Sequence, residues 1–481
     1  MISSCCCERF QLFYVEAELE PVDSRSSQGH ALSEMNQPVV EPWTLKAVGN
    51  RIAELRRSNT FRDSASNATY GLIEYITQPV LIVLSAPFLV SRLGFDQYGI
   101  WMLVNAFTGT VGIFHVGLGD ATIKYISAYR GKNDPAGVRR ILSGTLALSV
   151  LFGCLAAVSL YFAAPLLVEH VFKIAPEHYV EATRAIEAGS LVLFLQAIYQ
   201  VFASALKAYE AFGPPSKIAV FVKSGTILGA VVLVACGLGI VAILFLTAGF
   251  TLMGIVAQAV ATARILDVRS FWPVMDRRSW KEVLGFGCYS WVQNAAGVAF
   301  SQSDRLLIAA MLGTTPLAYY TLCVQIAQQV HGLATGAFGF LFPHISARQE
   351  SGKSLAVRRV FRLAVLVNVA FAVALALPLV IFGRKILALW MGSAFAAHAH
   401  VVLAVLAIAF CALSVNVAPH FTLLGLGKVR FVSLMNVFGG VLSLGAAALL
   451  IPPFGLLGAA AGRLFYGPAI SMNFVKVART I

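Results

Sequence analysis

Ile126-Ser127-Ala128, followed after nine residues by Val138-Arg139-Arg140, returns as Ile345-Ser346-Ala347, again nine residues ahead of Val357-Arg358-Arg359. The two copies stand 219 positions apart (345 − 126), and the same offset carries Leu93-Gly94 onto Leu312-Gly313 and Gly117 onto Gly336 without a gap. Apolar chains yield short matches by chance, but three at one offset, one of them a charged loop, mark an internal repeat. One unit is used twice.

What that unit is follows from the residues on either side of the loop. Hydrophobic residues make up 58% of the 481 and charged residues only 12%, against the quarter or so of a soluble domain. Mean hydropathy is +0.77, and the apolar residues lie in long blocks, each of a length that crosses a bilayer in about 20 residues. The blocks predict spans near 70–90, 97–117, 141–168, 186–206, 218–236, 239–262, 284–311, 317–343, 361–382, 399–418, 430–450 and 455–475. The expected fold is all-α and polytopic, with about twelve transmembrane helices in two pseudo-symmetric six-helix lobes. An offset of six helices gives both lobes the same orientation, a parallel repeat with its site between the lobes near the bilayer midplane. The expected divisions are a polar tail over 1–68, a first lobe over 69–276 and a second over 277–481, with the boundary near Phe271-Trp272-Pro273.

The tail holds no long apolar block and no signal peptide pattern. Within it, Leu45, Val48, Ile52 and Leu55 alternate with Lys46, Arg51, Arg56 and Arg57, which suits either a short helix on an anionic membrane surface or a solvated segment. Placing the tail in the cytoplasm puts Lys124, Arg130, Lys132, Arg139 and Arg140 there, with the Arg264–Lys281 cluster, Arg348 to Arg362, Lys476 and Arg479. That bias is the positive-inside rule, so both termini are expected inside, and the formal charge of +13 needs no nucleic acid to explain it. Outer loops are short, which leaves no room for an outside enzyme domain.

Ionisable residues within spans cost several kcal/mol unless they meet a partner or water, roughly 2.5–3.5 kcal/mol on insertion scales. The candidates are Glu74, His115, Lys223, Asp304, Arg305, His331 and Arg463. Asp304 and Arg305 are neighbours and diverge by about 100° on a helix, so one of them must reach another helix. Arg305, Lys223 and Arg463 are the candidates for a cationic cavity that takes a phosphate group, with snorkelling as the bland alternative for Lys223 and Arg463. Gln325, Gln328 and Gln329 form a polar stripe suited to sugar hydroxyls or to helix–helix hydrogen bonds. Asp304, Glu74, His115 and His331 are the candidates for coupling or gating, the histidines because they titrate near neutral pH. No Walker loop, Rossmann fingerprint, zinc motif or nucleophile elbow is present, so no enzyme activity, metal or cofactor is expected.

Leu93-Gly94-Phe95-Asp96-Gln97-Tyr98-Gly99-Ile100-Trp101 and Gly117-Leu118-Gly119-Asp120-Ala121 resemble the first helical hairpin of the polysaccharide biosynthesis proteins. These are the oligosaccharide-repeat (O-antigen) flippase branch of the multidrug/oligosaccharidyl-lipid/polysaccharide superfamily. Ser303-Asp304-Arg305-Leu306-Leu307-Ile308, Tyr319-Tyr320 and Phe342-Pro343 resemble the second lobe's hairpin, and Ile451-Pro452-Pro453-Phe454-Gly455 a segment near the end. The resemblance spans roughly 70 to 475 and departs from the family in the long polar tail. It implies a bacterial inner-membrane transporter that turns an undecaprenyl-pyrophosphate-linked oligosaccharide from the cytoplasmic to the periplasmic leaflet. Its expected partners are that polyprenyl-linked substrate, membrane lipids, and polysaccharide polymerase and export proteins. The rival expectations are a cation-coupled drug or metabolite antiporter, which wants an acidic cavity, and a non-transporting scaffold for polymer assembly.

Overall fold

The computed structural model describes residues 59–111, 113–266, 272–274, 280–284, 302–339, 341–342, 345 and 354–480, with side chains from 77 onward except 111–117 and 354–357. The chain divides into Met1–Phe61, of which only 59–61 are described, and Arg62–Ile481, which holds everything below. The expected surface helix at Thr44 to Arg57 lies outside the described residues.

Every regular element among the described residues is helical. The helices are α1 (Asn59–Val111), α2 (Ile113–Gly131), α3 (Pro135–Leu166), α4 (Tyr179–Ala208), α5 (Gly213–Ala235) and α6 (Ile240–Leu266). After a helical stretch at 302–311 come α7 (Thr314–Phe338), α8 (Ser354–Met391), α9 (Ser393–Val415), α10 (Val417–Gly425), α11 (Val429–Phe454), α12 (Leu456–Leu464), α13 (Tyr466–Ile470) and α14 (Met472–Thr480). Their order follows the predicted spans, which makes the chain an all-α polytopic membrane protein. Gly94, at φ 80 and ψ 166, breaks α1 into the first two rods.

The helices overrun the predicted spans at their polar ends. α2 runs to Gly131, and α3 starts at Pro135, where the Asp134 carboxylate accepts from the Gly137 N–H at 2.9 Å and caps the helix. Hydropathy marks the part of a helix that meets lipid, whereas the backbone ladder continues into water. Eight described stretches are long and apolar enough to cross a membrane by length and composition. The first, Thr77–Thr110, covers both arms of α1; α2 and the longer α7 fall outside the set, as do α12–α14, each too short to cross by itself. α7 carries Gln325, Gln328, Gln329 and His331, which lower its hydropathy because they face something other than lipid.

The repeat extends to the backbone. Gly313 has φ 103, beside 80 at its counterpart Gly94. α3 packs on α4, α4 on α6 and α5 on α6; in the second copy α8 packs on α9, α9 on α12 and α11 on α12.

The copies meet around the two glycine breaks. Asp96 accepts from the Thr314 hydroxyl at 3.2 Å and from Thr315, and a Cβ on Gly99 would overlap the Thr314 carbonyl. Phe95 stacks on Tyr319 with ring centroids 4.4 Å apart, and Tyr319 on Phe395 at 5.0 Å. The Trp390 indole donates to the Val83 carbonyl at 2.7 Å, and the Lys173 N–H to Ala309 at 3.2 Å. One apolar core draws on both copies here, through residues such as Leu103, Ile186, Tyr320 and Leu403. Three further cores are separate. One packs α2–α4 with Leu266 and, from beyond the expected lobe boundary, Trp280 and Val283, and two lie wholly in the second copy, around Phe338 and Val417 and around Val432 and Val477.

Candidate functional site

Residues of both copies line a cavity of about 1020 Å³, contributed by α1, α4 to α7, α9 to α13 and residues 302–305. Eight of the ten expected site residues meet there: Lys223, Asp304, Arg305, Gln325, Gln328, Gln329, His331 and Arg463. Glu74 lies in α1 and His115 in α2, with side chains outside the described residues.

Asp304, only 4% exposed, is the deepest charge. One of its oxygens accepts from Arg463 Nη2 at 2.6 Å, from Arg463 Nε at 2.8 Å and from the Tyr320 hydroxyl at 2.6 Å. Arg463 Nε also donates to that hydroxyl at 2.9 Å, and its guanidinium lies over the Phe410 ring, 5.1 Å from the centroid. A buried carboxylate is tolerated only with such a partner. Of the two neighbours, Asp304 is therefore the one that reaches another helix, and Arg463 is held by a carboxylate.

Arg305 turns elsewhere. Its Nη1 donates to Gln302 Oε1 at 2.9 Å, and its Nε is buried with no partner among the described residues. Gln325 Oε1, His331 Nδ1 and Asn416 Oδ1 are in the same condition, although Gln325 Nε2 approaches Met102 Sδ at 3.9 Å and His331 Nε2 lies 3.4 Å from Thr335 Oγ1. Buried polar atoms normally have partners. Four orphans on one cavity wall mark where a polar guest or water is expected.

Among the described residues the lining carries three Lys and Arg side chains, Lys223, Arg305 and Arg463, against one carboxylate, Asp304, a formal excess of 2 (3 − 1). Lys223 stands near the middle of α5 rather than at its end.

Sequence reasoning missed Tyr320, Gln302 and Asn416. Tyr320 was visible only as half of the Tyr319-Tyr320 pair. Asn416 sits where α9 gives way to α10 and donates to the Ala412 carbonyl at 3.0 Å and to the Gly467 carbonyl at 3.2 Å. The signal for that break is Pro419, which has no N–H to continue the ladder.

A family model described as Polysaccharide biosynthesis protein matches residues 61–349. A Shigella flexneri protein that carries the provisional name O-antigen transporter is 24% identical over 409 residues, covering 82% of this chain and 92% of its own length. Among solved structures, an inward-facing multidrug resistance MATE family transporter of the MOP superfamily superposes with a TM-score of 0.72 at 14% identity, over 85% of this chain and 97% of the other. The lipid II flippase MurJ in its inward closed conformation gives 0.68 at 12% identity, over 86% and 87%.

Proposed function

Because this chain belongs to the polysaccharide biosynthesis protein family, we propose that it is a flippase that carries a polyprenyl-pyrophosphate-linked oligosaccharide across the bacterial cytoplasmic membrane. The observation that carries this reading is the excess of positive charge in the cavity shared by the two copies. A pyrophosphate brings negative charge that Arg305 and Lys223 can neutralise, and the Arg fork grips phosphate oxygens with two hydrogen bonds. A cation antiporter needs the opposite balance, and Asp304 is already neutralised by Arg463.

Each residue takes a distinct part. Arg305 and Lys223 attract the pyrophosphate, Arg463 adds to the positive field while holding Asp304, and Gln325, Gln328 and Gln329 meet sugar hydroxyls. His331 is the coupling group nearest that stripe. The lobes are 69–276 and 277–481, and transport is alternating access. The glycine-break side, where the copies pack through Asp96, Thr314 and Thr315, is closed, and the opposite side, which carries most of the basic loops, faces the cytoplasm with both termini. The polyprenyl tail stays in lipid.

Reconstituted proteoliposomes with a lipid-linked oligosaccharide in one leaflet test this. Arg305→Ala and Lys223→Ala should each slow transfer about tenfold or more, in line with loss of a charge-assisted hydrogen bond of about 1.5–3 kcal/mol. Unchanged transfer in both variants removes the cationic-cavity reading.

A further inference from the structure

A second hollow, of about 590 Å³, opens between α3, α4 and α6, away from the central cavity. Its volume is within the range of about 300–1,000 Å³ usual for small-molecule sites. α4 forms the floor, since it packs on both α3 and α6. The wall is apolar and aromatic, with Tyr161, Phe162, Leu191, Phe194 and Phe245, of which Phe162 is 76% exposed.

Two charged side chains interrupt this wall, Arg184 and Glu187, one turn apart on α4. They are opposite in sign, and neither side chain pairs with a protein group among the described residues. Both stand toward the start of α4, whereas Leu191 and Phe194 lie deeper. From Arg184 to Phe194 the helix rises about 15 Å at 1.5 Å per residue. That is half of a hydrocarbon core about 30 Å thick, or one leaflet.

We infer that this hollow is a binding site for one phospholipid with a zwitterionic, primary-amine head group, in the leaflet on the side of the Gly94 and Gly313 breaks. Arg184 takes the phosphate and Glu187 accepts from the ammonium, while the acyl chain runs down Leu191 and Phe194 between the rings. A single cation would read any phosphate. The carboxylate beside it repels a net anionic head group and is satisfied by an ammonium with N–H donors, which a choline head lacks. The site stands independently of the transport reading, because it shares no residue with the central cavity.

The test is native mass spectrometry of the purified, delipidated full-length protein with equimolar dioleoyl phosphatidylethanolamine, phosphatidylcholine and phosphatidylglycerol. The expected result is retention of the ethanolamine lipid several-fold over both others. Glu187→Gln should abolish its advantage over the choline lipid, and Arg184→Ala should lower retention of both zwitterions. Ala157→Trp, which fills the hollow without touching either charge, should displace the lipid in a protein that elutes and melts as the parent does. Equal or greater retention of the glycerol lipid, or retention unaffected by all three substitutions, overturns the proposal.

Discussion

Asp96 and Thr315 hold the same position in the two copies (315 − 96 = 219), and the Thr315 hydroxyl donates its hydrogen bond to the Asp96 carboxylate. Repeat mates touch each other only beside the axis that relates the copies, so this contact marks where the pseudo-twofold axis leaves the protein. Any rocking of one copy against the other about the central cavity has to break it, together with the second bond from Thr314.

Asp96→Ala should therefore loosen the closed side. Hydrogen bonds to a charged group contribute about 1.5–3 kcal/mol, and every 1.4 kcal/mol is tenfold in an equilibrium. With Gln325→Cys as the single cysteine in an otherwise cysteine-free protein, an impermeant thiol reagent applied on the Gly94 side should label it about tenfold faster once Asp96 is lost. Equal labelling would mean that the aromatic stack of Phe95, Tyr319 and Phe395 closes that side by itself.

The paired glycines differ in what surrounds them. Both have positive φ, where a side chain costs roughly 1–2 kcal/mol, but a Cβ on Gly94 meets nothing within 4 Å, while one on Gly313 meets the Lys173 carbonyl at 2.6 Å. Gly313→Ala should lower the melting temperature in detergent clearly more than Gly94→Ala. Equal shifts would show that the backbone around Lys173 yields freely.

The repeat was legible because a charged loop stands out in an apolar chain. Arg139 and Arg140 recur as Arg358 and Arg359 for reasons that lipid-facing residues do not share, and the same offset pairs Gly94 with Gly313, although their positive φ is seen only in the fold. Helix ends were less legible, since hydropathy stops at the bilayer and α2 and α3 do not. The site was legible in membership more than in pairing. The angle between Asp304 and Arg305 requires one of them to reach across, but nothing local identifies Arg463, 159 residues away, as the partner. Lys223 read as a span-end residue because the predicted span began at 218, whereas α5 begins at Gly213.

The break between α9 and α10 offers a third test. Asn368 on α8 is fully buried and donates to the carbonyls of Ser414 at 2.8 Å and Val415 at 3.2 Å, two groups next to the break. Asn368→Leu keeps the bulk and strips both carbonyls of that donor, at a cost of about 1–3 kcal/mol for buried groups left unsatisfied. Melting measured beside Asn368→Gln should show Leu as the more damaging change, and the reverse order would assign Asn368 a packing role.

The pairing of Asp304 with Arg463 makes a prediction about sign as well as size. Removing one partner of a buried ion pair is strongly destabilising, by about 3–5 kcal/mol, whereas replacing both by apolar residues of similar volume is often close to neutral. Arg463→Ala alone should therefore melt well below the parent, with the Asp304 carboxylate left beside Tyr320 and without its ion-pair partner. Asp304→Leu together with Arg463→Met, which keeps the volume, should recover much of that loss. Transport should not follow stability. Among the described lining residues the double variant keeps Arg305 and Lys223, the same formal excess of 2 (2 − 0) as the parent, and should retain transfer of a lipid-linked anion better than Arg305→Ala does. If the double variant instead fails to transfer while folding well, the ion pair itself takes part in the cycle, opening and reforming as the copies move.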